Sequence, residues 1–209
     1  MPCSDFSPIP DIATGDHDAL ADALATRGTC RILGLPDADS THALREDLLR
    51  LTDAGELSPA ATGRGEGRAL QPTLRGDRTL WLDDARCGAA TGAFLASLDA
   101  LRVALNERLF LGLAEVEAHY ARYAPGTGYA RHRDRFRDSD ARVISLVAYL
   151  NDDWNIDDGG ALRLHLDGGA IDIPPLGGTA VCFRSEIEHE VLPAACERLS
   201  IAAWFRRRP

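Results

Sequence analysis

Apolar positions recur along the chain with two different periods, and the change of period divides it. Up to about residue 115 they return every three or four residues, as helices require. "DHDALADALATRG" (16–28) sets Leu20 and Leu24 on one face and stops at Gly28, a residue suited to the left-handed turn that ends a helix. "DSTHALREDLLRLTDAG" (39–55) repeats the spacing at Leu44, Leu48 and Leu51, with Ser40 as the expected cap and Gly55 as the stop. The longest predicted helix runs from Thr91 to about Arg108, striped by Phe94, Leu98, Leu101 and Leu105. These three helices are read as packing elements. From Glu117 the pattern shortens to alternation: "EAHYARYA", "GYARHRD", "RVISLVAYL", "ALRLHL", "AIDI", "TAVCF", "EHEVL" and "RLSIAAWF", most of them separated by glycine and proline turns. Eight short strands of this kind predict an α+β chain with a jelly-roll core, one domain over 1–209, its helical part about 1–115 and its core about 116–206. In the last strand Leu199, Ile201, Ala203 and Phe205 fall on one face, and Arg198, Ser200, Ala202 and Trp204 on the other. The second set suits the inside of a ligand-holding barrel, and equally a solvated edge.

Composition narrows the partners. The 209 residues carry a net charge of −9, which argues against nucleic acid and against a membrane surface, both of which call for a basic face. All 23 basic residues are arginine, so lysine Schiff-base chemistry and a P-loop lysine are excluded. Five cysteines, Cys3, Cys30, Cys87, Cys182 and Cys196, form no C-x-x-C pair and suit a reduced compartment. The first residues lack the basic and apolar regions of a signal peptide, and no apolar run reaches the ~18 residues of a membrane span, so a cytoplasmic location is expected.

Candidate chemistry centres on "YARHRDRF" (129–136), where His132 and Asp134 stand two residues apart. On a strand they share a face, with Arg131, Arg133, Arg135 and Arg137 turned the other way. Two ligands could reach one metal ion in this way, though a mixed-charge surface strand reads the same. His17 and His42 lie in helices and are read as surface residues, while His119 and His165 are assigned structural roles. That leaves His189 as a partner: two histidines and one carboxylate form a facial triad, with three positions left open on Fe(II). Arg198 could then meet the far carboxylate of a 2-oxoglutarate molecule in a two-toothed fork. The glycine-rich stretch from Gly63 to Leu82 is expected to be a mobile loop or hairpin ending in "TLWL", which alternates like a strand; its "RGD" is dismissed as an adhesion motif.

Taken in order over roughly residues 74–205, "RGDRTLWLDD", "YAPGTGYARHRD", "RVISLVAYLNDDW", "GGALRL" and "HEVLPAACERLSIAAWF" resemble the 2-oxoglutarate- and Fe(II)-dependent prolyl hydroxylases of the oxygen-sensing EGL-nine type and their bacterial relatives. The resemblance implies that His132, Asp134 and His189 bind iron. It further implies that Arg198, with Tyr149, holds the 2-oxoglutarate C5 carboxylate, that Tyr123 and Trp204 line the co-substrate pocket, and that Arg142 lies on the substrate side. O2 is the second co-substrate, and ascorbate an auxiliary reductant consistent with the family. Implied too is a protein or peptide substrate with an exposed proline, in a cytosolic protein, a translation factor being the candidate because bacterial relatives act on one. "YAPGTGY" is one residue shorter than in the animal enzymes. With the chain ending at Pro209, their C-terminal substrate-contacting helix is expected to be missing or reduced, which would leave Gly63–Gly76 to grip the substrate. Three rival readings stand beside this one: a hydroxylase of free proline or a related metabolite, a cupin-like protein holding a metal or anion without turnover, and an interaction module built on the 63–76 loop.

Overall fold

A computed structural model describes residues 9–60, 71, 73–135 and 139–208. Elements follow the chain as β1 (Asp11–Ala13), α1 (His17–Thr26), β2 (Thr29–Leu33), α2 (Ala38–Asp53), β3 (Ser58–Pro59), β4 (Asp77–Trp81), α3 (Ala89–Leu109), β5 (Leu113–Tyr123) and β6 (Tyr129–His132). They continue as β7 (Arg142–Tyr149), β8 (Leu162–Leu166), β9 (Gly169–Ile173), β10 (Thr179–Arg184), β11 (Glu188–Val191) and β12 (Arg198–Arg207). The larger sheet runs β1-β2-β10-β7-β12-β5-β4-β3, and a second runs β6-β11-β8-β9. β5 to β12 are the eight strands expected of the jelly roll.

The N-terminal segment differs from its expected helical character. Besides its helices it supplies β1 and β2 to one edge of the larger sheet and β3 and β4 to the other. β1 pairs with β2 in parallel, across α1. β1 and β3, at three and two residues, are too short to show alternation, and β2 pairs with β10, distant in sequence; β4 takes in most of the alternating "TLWL".

The three helices cover the outer face of the larger sheet. Leu20 and Leu24 of α1, Leu44, Leu48 and Leu51 of α2, and Phe94, Leu98, Leu101 and Leu105 of α3 meet Ile144, Leu146, Ile201 and Phe205 in one core. Each such side chain contributes about 1.5–3 kcal/mol by leaving water, so the helical stripes anchor the sheet from behind. One cap differs from expectation. Asp37, not Ser40, caps α2: its extended backbone precedes the helix, and its Oδ1 accepts the Ser40 N–H at 2.7 Å. The helix therefore starts earlier than its apolar stripe. Asp47, buried in α2, accepts the Gly88 N–H at the start of α3 (3.0 Å) and the Tyr120 hydroxyl (3.1 Å), tying both helices to β5.

The other face of the larger sheet looks at the second sheet. Ala121, Tyr123, Tyr149, Leu162, Leu164, Val181, Phe183 and Val191 pack between them. β12 shows the two-faced pattern expected of it, with Ile201 and Phe205 in the helix-side core. Arg198, Ser200, Ala202 and Trp204 line the cleft between the sheets instead of a solvated edge.

Candidate active site

A narrow cleft, open at its mouth, runs between the two sheets. β5 lends His119 and Tyr123, β6 Tyr129 and His132, β7 Ser145 and Val147, β11 His189, and β12 Arg198 and Trp204.

Antiparallel pairing sets the metal-ligand candidates against each other. His189 of β11 lies directly opposite His132 of β6, their rings 4.2 Å apart. β6 stops at His132, and the chain turns so that Asp134 Oδ1 lies 3.7 Å from His132 Nε2 and Oδ2 3.4 Å from His189 Nε2. All three donor atoms fall within 4.8 Å of one another. Both imidazoles are oriented from behind: His132 Nδ1 meets the Ala130 carbonyl at 2.8 Å and His189 Nδ1 the Ile187 carbonyl at 3.0 Å. A carbonyl only accepts, so each Nδ1 carries the proton and each Nε2 lone pair faces the common centre. Burial also lowers the His189 pKa, which keeps the ring neutral and able to ligate. Burial opposes the charge on Asp134, yet its carboxyl is held below the usual carboxylate range by His189 and His132 whenever these rings carry a second proton, and by Arg142 farther off. Two neutral nitrogens and one carboxylate on one face are the donor set of a non-haem Fe(II) centre, so these residues fit the metal.

At the inner end of the cleft Arg198 is 1% exposed. Its Nε donates to the Gly160 carbonyl (2.8 Å) and its Nη1 to Ser200 Oγ (3.0 Å). Among the described residues Nη2 has no hydrogen-bond partner, and neither has the buried Tyr149 hydroxyl. The fork expected of Arg198 is thus half committed to the protein, leaving Nη2 and Tyr149 Oη as the free donors. Buried donors without acceptors cost free energy, and an anion seated there would satisfy both. Tyr123 and Tyr149 flank the guanidinium, each ring centroid 5.2 Å from it. Gly160 holds its carbonyl on Arg198 from a backbone at φ +68°, where any Cβ would meet Trp154 and Ala194 at 2.9 Å. The donor set thus suits the distal carboxylate of a short diacid.

At the opposite end Trp204 lies under Arg142, whose guanidinium sits 3.7 Å from the ring centroid. Arg142 is also held by Glu117, at 2.8 Å through Nε and 2.6 Å through Nη2. The arginines flanking the histidine–aspartate pair do face outward: Arg131 and Arg133 pair with Glu188, and Arg135 with Glu186. Arg137 lies outside the described residues, as does most of the Gly63–Gly76 loop.

Several contributors to the site were not assigned to it from the sequence, among them Arg75, Asp77, His119, Tyr129 and Ser145. Arg75 and Asp77 of the dismissed "RGD" form a two-bond ion pair (2.7 and 2.9 Å) in the cleft wall, with Asp77 buried. Arg75 also sits over the Tyr129 ring, which itself stacks on His132 at 3.6 Å. His119 is structural, as expected, but it also lines the cleft, packed between Trp81 and Trp204. Its Nδ1 donates to the Tyr120 carbonyl (2.9 Å), so Nε2 can only accept from Arg75, 3.4 Å away; burial and Arg75 push its pKa down to about 4. Ser145 donates to Asp134 from β7. A signal was present for Ser145, a lone hydroxyl inside the apolar strand "RVISLVAYL"; none marked the ion pair. His165, also read as structural, bonds Glu190 at 3.0 Å away from the cleft.

Comparison with known proteins agrees with this geometry. The family model described as the 2OG-Fe(II) oxygenase superfamily matches residues 118–206. Human Egl nine homolog 1 is 34% identical over 187 residues, covering 85% of this chain and 43% of the human protein, so the chain spans about half the length of such relatives. A Pseudomonas putida prolyl-4-hydroxylase structure is 45% identical, with a TM-score of 0.83 over 92% of this chain and 100% of that one. A Trichoplax adhaerens prolyl hydroxylase, solved with a peptide fragment of the hypoxia inducible factor oxygen degradation domain, is 27% identical, with a TM-score of 0.80 over 91% of this chain and 88% of that one.

Proposed function

The chain belongs to the 2OG-Fe(II) oxygenase superfamily, beside its prolyl hydroxylases, and from that premise we propose that it is a dioxygenase that hydroxylates a prolyl residue of a protein. The observation that carries this reading is the pairing, in one cleft, of the His132–Asp134–His189 donor set with the unsatisfied Arg198 Nη2 and Tyr149 Oη. When bound, Fe(II) with 2-oxoglutarate and O2 supplies the oxidising chemistry of the family.

The protein's share lies in binding, orientation and exclusion of water. His132, Asp134 and His189 would hold the metal, their orientation fixed by the Ala130 and Ile187 carbonyls and by Ser145. Arg198 and Tyr149 would set how deeply the diacid enters, by capturing the carboxylate farthest from the metal. Tyr123, Val147 and Leu162 keep the intervening wall dry. Trp204, buried between His119 and Arg142, closes the far end of the cleft, with Arg142 on the substrate side.

The substrate we propose is an exposed proline in a cytosolic protein, with a translation factor as the candidate. Support comes from the relatives: the Pseudomonas putida prolyl-4-hydroxylase matches nearly end to end, and the Trichoplax adhaerens enzyme was solved with a peptide. The test is succinate formation with Fe(II) and 2-oxoglutarate, measured with proline-containing peptides, with free proline and without substrate, alongside mass spectrometry for a gain of one oxygen. Peptide-stimulated turnover with an oxidised prolyl residue supports the reading. Equal stimulation by free proline favours the metabolite hydroxylase instead, and no turnover with any substrate favours the non-catalytic binding protein.

A further inference from the structure

Behind Asp134 lies a chain of two hydroxyls that the proposed reaction does not itself require. Ser145 Oγ is 2.8 Å from Asp134 Oδ2 and 2.8 Å from Ser185 Oγ. Ser145 and Ser185 are 1% and 0% exposed, so no solvent completes their bonding. The direction of the chain follows from counting protons. A metal-ligating carboxylate can only accept, so the single Ser145 proton goes to Asp134. Ser145 then has only lone pairs to offer Ser185, whose proton must point at it. The result is a one-way series, Ser185 to Ser145 to Asp134, with both dipoles aimed at one carboxylate oxygen.

The backbone fixes the same geometry a second time. Ser185 accepts the N–H of Arg135, the residue after Asp134, at 3.0 Å, and donates its own N–H to Val143 at 3.0 Å. Ser145 sits opposite Phe183 and Trp204 in the β10–β7–β12 register, in the middle of the sheet, where strand pairing on both sides prevents drift. Asp134 lies just past the end of β6, on a segment with no strand pairing of its own, so its carboxylate needs an outside anchor.

We infer that Ser145 and Ser185 are positioning residues that occupy one oxygen of Asp134, so that the carboxylate offers the metal a single oxygen. A carboxylate free to turn could chelate through both oxygens and fill a coordination position that the diacid or O2 needs. The inference rests on the metal reading given above.

Water-proton relaxation on Mn(II)-loaded protein without 2-oxoglutarate tests it, because the signal counts waters on the metal and not turnover. With one carboxylate oxygen engaged, the two-histidine, one-carboxylate set leaves about three water positions. Ser145→Ala is expected to bring in the second oxygen, lowering relaxivity per bound Mn(II) by about a third, and Ser145→Thr, which keeps the hydroxyl, to restore it. Relaxivity of Ser145→Ala equal to that of the unaltered protein overturns the inference. If Ser145→Ala does not fold, the equal-sized pair Ser145→Thr and Ser145→Val makes the same comparison, and identical relaxivities overturn it. If the unaltered protein binds no Mn(II), the metal reading itself fails and the relay falls with it.

Discussion

Replacing Tyr149 by phenylalanine should move two measurements in opposite directions. Tyr149 is fully buried, and its hydroxyl has no hydrogen-bond partner among the described residues. Its pKa is pushed up to about 12, by burial foremost, so at neutral pH the group is a neutral donor. An unpaired buried polar group costs about 1–3 kcal/mol. Phenylalanine keeps the ring beside Arg198 and removes that cost, so the ligand-free variant should be more stable, by an amount up to that range. Once a carboxylate is seated, the same hydroxyl gains a charge-assisted bond worth about 1.5–3 kcal/mol. Losing it should weaken 2-oxoglutarate binding about ten- to hundred-fold. Urea unfolding of the ligand-free protein reads the first effect. Anaerobic calorimetric titration of Mn(II)-loaded protein with 2-oxoglutarate reads the second. A variant that unfolds more easily yet binds 2-oxoglutarate as tightly as before would show Tyr149 to be an ordinary core residue and refute the reasoning.

Three further outcomes follow from the same geometry. Asp134→Ala removes the only carboxylate of the metal set; metal titration should show loss of Fe(II) or Mn(II) binding with circular dichroism unchanged, and retained tight binding would contradict the assignment. Arg198→Lys should not recover 2-oxoglutarate affinity, since an ammonium cannot hold Gly160 O and Ser200 Oγ while presenting a third donor to the ligand; a dissociation constant within twofold of the original would argue otherwise. Buried His119 has a folded pKa of about 4 against an ordinary 6.5. The unfolded chain therefore takes up the proton first, and stability declines as pH drops from about 6.5 towards 4, by about 3 kcal/mol in full. His119→Gln should lack that contribution, so the difference in unfolding free energy between the two proteins should change by about 2 kcal/mol from pH 7.5 to pH 5; an unchanged difference rejects the linkage.

What could be read in the sequence was whatever repeats locally. Alternation in "RLSIAAWF" placed Arg198 and Trp204 on one face before any partner strand was known, because a two-residue period needs no tertiary knowledge. The helical stripes were legible for the same reason. His132, Asp134 and His189 could be singled out as residue types, but their meeting depends on β6 and β11 pairing 57 positions apart, and it was the ordered resemblance that joined them. The contributors missed were chiefly those whose role only a neighbour reveals: the Arg75–Asp77 pair, the contact of Ser145 with Ser185, and the edge strands β1 to β3, of which β1 and β3 are too short to carry a period. Ser40 was taken for a cap because it precedes the apolar stripe, whereas capping depends on where the backbone turns extended, at Asp37.

The place of β12 bears on how the protein comes into being. This strand lies between β7 and β5, and it alone joins β1-β2-β10-β7 to β5-β4-β3 within the larger sheet. Among the described strands it also comes last in the chain. During synthesis the two halves of the sheet therefore wait as separate pieces with exposed edges, and β12 enters as a wedge that zips to β5 along Arg198–Arg207 and to β7 along Ser200–Arg206. Arg198 arrives on that same strand, so the cleft lacks its buried guanidinium until the sheet closes. The same arrangement leaves the unfinished chain two strand edges to protect, which makes the interval before β12 emerges the period of greatest exposure to aggregation.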